Sequence, residues 1–278
     1  MGLKINTNVA ALKTTRILRG STLALNKSLE RLSSGLRVNR AADDAAGLAI
    51  AEGFRSVSRA AQVAQRNAQD GIGLLQTAEG ELSETINILQ RIRELAVQSA
   101  NGTFNDTPNR ADLDLEVQQL LAQIDSIAQF TEFNGVFPLS AATTINFQVG
   151  GTDLTFIALT FGGALDVAGI GLTGIDITTE ANTRALLDNL TGGINFALGV
   201  VNTQRSTLGA IQNRLEFTIN SLQIQEENAV ASESAIRDAD IARETIMFTR
   251  NQILVSAGTS ILAQTNVIPQ TALQLLGG

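Results

Sequence analysis

The chain has 278 residues, 44% of them hydrophobic, and a formal net charge of −7; that is enough apolar material for one large domain or two smaller ones, and too much for a disordered tail. It contains no Cys, His, Trp or Tyr. These omissions remove disulfides, thiolate nucleophiles, Cys- and His-based metal sites and the commonest general base, so most hydrolase and metalloenzyme chemistry is excluded and neither a catalytic site nor a cofactor is expected.

The first forty residues form a basic arm, with Lys4, Lys13, Arg16, Arg19, Lys27, Arg31, Arg37 and Arg40 against Glu30 alone. Such an arm can bind nucleic acid or an anionic membrane. A heptad pattern runs through it, however, and a heptad asks for a helix partner. The arm is therefore expected to face acids of its own chain or of neighbouring copies, such as Glu226, Glu227, Glu233, Asp238, Asp240 and Glu244, and no nucleic acid. After Met1-Gly2-Leu3-Lys4 no apolar run resembles a cleaved leader, and no uncharged apolar stretch is long enough to cross a bilayer, so membrane insertion is not expected.

Leu18, Thr22, Leu25, Leu29, Leu32 and Leu36 alternate spacings of four and three, the seam of a coiled coil. The far end of the chain answers it. Ile241, Phe248, Val255 and Leu262 recur every seven residues, with Leu254, Ile261 and Ile268 as a second series beside them. Pro269 is expected to end that helix or distort its last turn. Two narrow apolar stripes at opposite ends of one chain predict that the ends pack together.

Between them, Ser33 to Gly53 reads as a polar connector, with Asp43-Asp44 placed to favour a helix N-terminus. A helix is predicted from about Leu48 to Ala100, its stripe formed by Leu75, Leu82, Ile86, Leu89 and Ala96 and widened by Ile88, Ile92 and Leu95. A loop follows from Asn101-Gly102 to Pro108. A second helix is predicted from about Arg110 to Phe130, with Leu113, Val117, Leu120, Leu121 and Ile124 inward, and then a turn at Asn134-Gly135. From about 141 to 178 Gly, β-branched residues and Phe alternate with polar ones, which predicts short antiparallel strands and hairpins, with more strand at Ile175-Asp176-Ile177-Thr178. Helix resumes near Thr179, and Leu208, Ile211, Leu215, Thr218 and Leu222 form a third heptad run leading into an acidic stretch.

Gly169-Ile170-Gly171-Leu172-Thr173-Gly174 has the letters of a dinucleotide fingerprint, but it follows a Gly-rich hairpin region and no helix opens within it. Asp112-Leu113-Asp114-Leu115-Glu116 suggests a calcium loop, but the obligatory Gly is missing and a helical stripe runs through it. The fold class these elements predict is mainly α: a long-helix bundle with paired terminal helices plus a small β-hairpin region.

Several blocks then resemble one family closely. They are Ile5-Asn6-Thr7-Asn8, Leu29-Glu30-Arg31-Leu32-Ser33-Ser34-Gly35-Leu36-Arg37, Asp43-Asp44-Ala45-Ala46-Gly47, Asn67-Ala68-Gln69-Asp70-Gly71, the block from Gln90 to Asn101, and Phe133-Asn134-Gly135. Near the C-terminus Asp238-Ala239-Asp240, Gln252-Ile253-Leu254, Ala257-Gly258-Thr259-Ser260, Leu262-Ala263-Gln264 and Pro269-Gln270 continue the match. The chain resembles bacterial flagellin over about 1–140 and 178–278, in a short form without outer variable domains.

The resemblance implies a terminal coiled-coil core domain made of 1–44 with 236–278, and a helical domain of 45–235 carrying hairpins at about 141–178. It implies a structural subunit of the extracellular flagellar filament, exported by a type III apparatus without signal cleavage. Its partners would be other copies of itself, an export chaperone, and hook-associated and cap proteins. A hook–filament junction protein, which shares similar ends, is the alternative. Core assembly would rest on Leu18, Leu25, Leu29, Leu32, Leu36, Ile241, Phe248, Val255, Ile261 and Leu262. The resemblance also implies a patch read by a vertebrate flagellin receptor at Arg91, Leu95 and Glu116, with Leu95 able to serve only if it is exposed.

Overall fold

The computed structural model describes residues 8–102, 107–151, 155–188 and 193–276. In chain order the elements are α1 (Val9–Ser34), α2 (Ala45–Ser99), α3 (Thr107–Phe130), β1 (Thr144–Gln148), β2 (Phe156–Thr160), α4 (Glu180–Asp188), α5 (Ile194–Arg237) and α6 (Ile241–Leu276). They form two compact units, Met1–Ser58 with Glu227–Gly278, and Arg59–Glu226. The divisions fall inside α2 and α5.

In the first unit α1 packs against α6. The Asn8 side chain caps α1, its Oδ1 accepting from the backbone N–H of Ala11 at 2.9 Å, as a short polar side chain does for the free amides of a first turn. Gly35 ends the helix at φ 71°, donating its N–H to the Arg31 carbonyl at 2.8 Å. A left-handed terminus of this kind suits a residue without Cβ. Asp44 caps α2 through Gly47 N–H at 2.9 Å, which is the helix-starting role expected of that carboxylate. The return chain breaks between α5 and α6, where Asp240 Oδ1 accepts from Arg243 N–H at 3.1 Å. The two breaks are tied together: Arg37 N–H donates to the Arg237 carbonyl at 2.7 Å, and Ala239 N–H to the Gly35 carbonyl at 2.9 Å.

The α1–α6 pair is antiparallel. Asn8 meets Thr265, a Cβ on Gly258 would lie 3.1 Å from Leu18 Cδ1, Arg31 meets Glu244, and Leu36 bridges Asp238. α6 continues past Pro269 to Leu276; the proline does not end it.

The second unit holds the main core. Leu75, Leu82, Leu89, Ile92, Leu95 and Ala96 of α2 pack with Val117, Leu121 and Ile124 of α3 and with Ile194, Ala197, Val201, Leu208 and Leu215 of α5. Full burial of each Leu or Ile among them stabilises the unit by about 1.5–3 kcal/mol. β1 and β2 form one antiparallel hairpin, in register from Thr144 opposite Thr160 to Gln148 opposite Phe156. Alternation sends Phe147, Ile157 and Leu159 into the core.

Among the described residues beyond Phe161 the expected further strands are absent. Residues 175–178 are irregular backbone, because α3 supplies the hydrogen bonds that a partner strand would have made. Asp114 Oδ1 accepts from Ile177 N–H at 3.0 Å, Gln118 Nε2 donates to the Ile175 carbonyl at 2.8 Å, and Asp125 Oδ1 accepts from Val167 N–H at 2.8 Å. Ile170, Leu172 and Ile177 are thereby pinned into the core. The Gly169–Gly174 segment makes turns, and a Cβ on Gly169 would lie 1.7 Å from the Ala164 carbonyl oxygen.

Candidate assembly surfaces

The inward stripe of α1 runs through Ala11, Leu18, Ser21, Leu25, Ser28 and Leu32; that of α6 runs through Glu244, Phe248, Asn251, Val255, Gly258, Leu262 and Thr265. Of the residues expected in the seam, Leu18, Leu25, Leu32, Phe248, Val255 and Leu262 therefore face the helix pair. Leu36 is half-buried where the two chain breaks meet.

Leu29, Ile241 and Ile261 do not face the pair. They remain 54%, 50% and 53% exposed, so their placement in the α1–α6 contact is corrected. Each terminal helix carries two apolar series seven residues apart, and one α-helix partner can cover only one of them. The other inward positions of this stripe of α1 are Ala11, Ser21 and Ser28, small residues that bring the helices close.

Seam periodicity also missed Val9, Leu12, Ile17 and Leu23 on α1 and Ile246, Met247, Ile253 and Val267 on α6. All are exposed, Leu23 to 70% and Ile246 to 69%. The signal was present in α6, which has apolar residues on all sides and three charges, Arg243, Glu244 and Arg250. A helix that is apolar all round is stable in water only when covered on all sides. Among the described residues of this unit, the fully buried apolar side chains are Val38, Ala51 and Ala229, none of them on α1 or α6.

The charges are arranged differently from the sequence expectation. Among the described residues, the ion pair from the basic arm to the expected acids is Arg31–Glu244 at 3.6 Å. Lys27 pairs with Asp43 at 2.8 Å and Arg40 with Glu30 at 2.9 Å, both locally, and the Arg37 guanidinium donates to the Ile236 carbonyl. Glu226 instead accepts from the side-chain amides of Gln62 and Gln65, at 2.6 and 2.9 Å. Lys4 lies outside the described residues. The Lys27 ammonium, with the backbone N–H groups of Arg40 and Asn39, holds the Asp43 carboxyl down to about 2. The first unit carries twelve Lys and Arg against nine Asp and Glu, the second eight against eighteen.

In the second unit Arg91 of α2 reaches Glu116 of α3. Its Nε and Nη2 both donate to Glu116 Oε1, at 2.9 and 2.8 Å, and its Nη1 donates to Glu94 at 3.3 Å. The Glu116 and Glu94 carboxylates raise the guanidinium pKa further above its ordinary value. Leu95 is 1% exposed and belongs to the core, so its place in a receptor-binding patch is corrected: it follows Arg91 by one helical turn, but its side chain is sealed while the Arg91 side chain is half exposed. Exposed apolar side chains on the same two helices include Val97 and Leu115.

Against known families, the model for the bacterial flagellin N-terminal helical region matches residues 5–144, and that for the C-terminal helical region matches residues 191–276. The chain belongs to the bacterial flagellin family. It is 46% identical to the flagellin of Halalkalibacterium halodurans, with 98% of this chain and 99% of that one aligned. It is 42% identical to a flagellar filament 31.3 kDa core protein of Treponema maltophilum, again over 98% and 99%. A solved structure described as a flagellar hook-associated protein of Vibrio parahaemolyticus aligns with 70% of this chain and 100% of its own, at a TM-score of 0.58 and 13% identity; at that identity the likeness is one of fold.

This flagellin is a structural subunit that self-assembles into the bacterial flagellar filament, the organelle of motility. Nothing in these likenesses favours the junction protein over the filament subunit. Among the described residues no helix is long and apolar enough to cross a membrane.

Proposed function

We propose that the unit built on α1 and α6 is the filament-core domain, and that the outward faces of these helices carry subunit–subunit contact. The observation behind this reading is the set of uncovered apolar side chains on both helices, Leu12, Leu23, Leu29, Ile246, Ile253 and Ile261 among them. Each is 53–70% exposed in the single chain. Covering one contributes about 1–2 kcal/mol, a fraction of the full burial value. Six together offset the several kcal/mol that association costs in lost freedom.

Before assembly the same faces need shielding, a task for an export chaperone, and the chain leaves through a type III apparatus. Cap and hook-associated proteins meet the filament through the same terminal helices. The exposed Arg91–Glu116 pair, without Leu95, is the part of the receptor patch available to a vertebrate flagellin receptor; an Arg fork of this kind suits a contact hot spot. The subunit acts by assembly and not by catalysis.

The test is polymerisation of full-length Leu29→Asp and Ile261→Asp chains, followed by electron microscopy and sedimentation. Both positions are open in the monomer, so its cooperative melting is retained. Burying an unpaired carboxylate between copies is costly, so filaments are lost. Normal filaments from both variants overturn the assignment of these faces.

A further inference from the structure

Proline has no backbone N–H, so Pro269 inside α6 cannot donate to the carbonyl four residues earlier. That carbonyl belongs to Thr265. It is not left alone: Asn8 Nδ2 donates to it at 3.0 Å. The same side chain caps α1 through its Oδ1. One amide group therefore completes the start of α1 and replaces the hydrogen bond that Pro269 removes from α6.

We infer that Asn8, Thr265 and Pro269 form a conditional joint, which makes the last turns of α6 dependent on the docking of α1. With α1 undocked, α6 has an unpaired carbonyl at Thr265 and a proline that disfavours helix just beyond it, so the turns from 266 onward have little reason to form. With α1 docked, the side-chain donor restores the missing bond and α6 runs on to Leu276. Asn8 is a positioning residue in this scheme. It acts on the helix end, and through it on the apolar residues that α6 presents for assembly. The joint also sets register, since only one sliding position of the antiparallel pair brings Asn8 to Thr265.

The test uses full-length chains mixed at a trace ratio into wild-type subunits growing on wild-type seeds, with incorporation measured by sedimentation and amide hydrogen exchange read within the filament. Asn8→Ser keeps an N-cap oxygen on α1 but cannot reach across to Thr265. Pro269→Ala restores the backbone N–H and makes the Asn8 donor redundant. The expected result is that Asn8→Ser lowers exchange protection over residues 266–276 and lowers incorporation about tenfold, the scale for a polar group left unsatisfied. In the Asn8→Ser/Pro269→Ala chain both readouts return to within about twofold of Pro269→Ala alone. Pro269→Ala alone incorporates at least as well as wild type. Undiminished protection in Asn8→Ser, equal losses in both backgrounds, or a Pro269→Ala chain that fails to enter filaments would each overturn the inference. The inference rests on α1 and α6 being the assembling helices. Loss of that reading shows separately, as normal filaments from Leu29→Asp and Ile261→Asp.

Discussion

Leu95→Ala separates the two roles the sequence assigns to one block. Leu95 is sealed in the core of the second unit, while Arg91, one turn earlier, lies on the surface beside Glu116. Truncating a sealed Leu removes its burial and leaves a cavity, at a cost of about 2–5 kcal/mol. The unit that contains it spans Arg59–Glu226. At about 2.1 cal/mol/K of unfolding entropy per residue, a unit of this size unfolds with roughly 0.35 kcal/mol/K, so a loss of about 3 kcal/mol lowers its midpoint by about 8–9 °C. The chain has no Trp or Tyr, so differential scanning calorimetry of the monomer is the suitable assay, with far-ultraviolet circular dichroism as a second measure. Arg91→Ala is the companion. It removes an exposed ion-pair cluster, and such pairs contribute little to stability, so its midpoint stays near that of wild type. In a receptor reporter assay below the melting range, Arg91→Ala loses response and Leu95→Ala keeps it. A Leu95→Ala midpoint within about 2 °C of wild type, or a response lost in Leu95→Ala and kept in Arg91→Ala, would refute the assignment of one residue to the core and the other to the surface.

Two further outcomes are expected. Gly169→Ala places a methyl group against the Ala164 carbonyl and must open the turn, which costs about 1–3 kcal/mol and lowers the calorimetric midpoint; a wild-type melt would show that the turn yields freely. The Asp43 carboxyl is held down to about 2, below the ordinary carboxylate value of 3.8, by Lys27 and the backbone N–H groups of Arg40 and Asn39. A depressed carboxyl favours the folded form above its ordinary range, and that contribution fades as pH falls from about 4 toward 2. A carboxyl-carbon NMR titration of Asp43 should move upward in Lys27→Met, and an unchanged midpoint would show that the ammonium is not the cause.

Much of this molecule follows from local spacing. Leu75, Leu82, Leu89 and Ala96 line one face of a helix whatever surrounds it, and so do Leu208, Leu215 and Leu222; the structure buries all of them. Periodicity fixes which residues share a face because the helical turn fixes it. The cap residues and the Asn134-Gly135 turn are local in the same sense, the turn showing φ 51° and 80° at its two residues.

Tertiary structure decided the rest. α1 and α6 each carry two apolar series, and nothing local says which one meets the partner helix. The choice of Leu18, Leu25 and Leu32 over Thr22 and Leu29 follows from an antiparallel pairing that sets Leu18 on Gly258. The residues near 175 alternate like a strand, yet the hydrogen bonds that keep them irregular come from Asp114 and Gln118 on α3, some sixty positions earlier. Pro269 is a stop signal by every local rule, and α6 passes it because a side-chain amide 257 positions away in the chain donates to Thr265. Spacing determines the face a residue shares, but the partner that satisfies a buried surface or an unpaired carbonyl is brought by the fold from elsewhere in the chain.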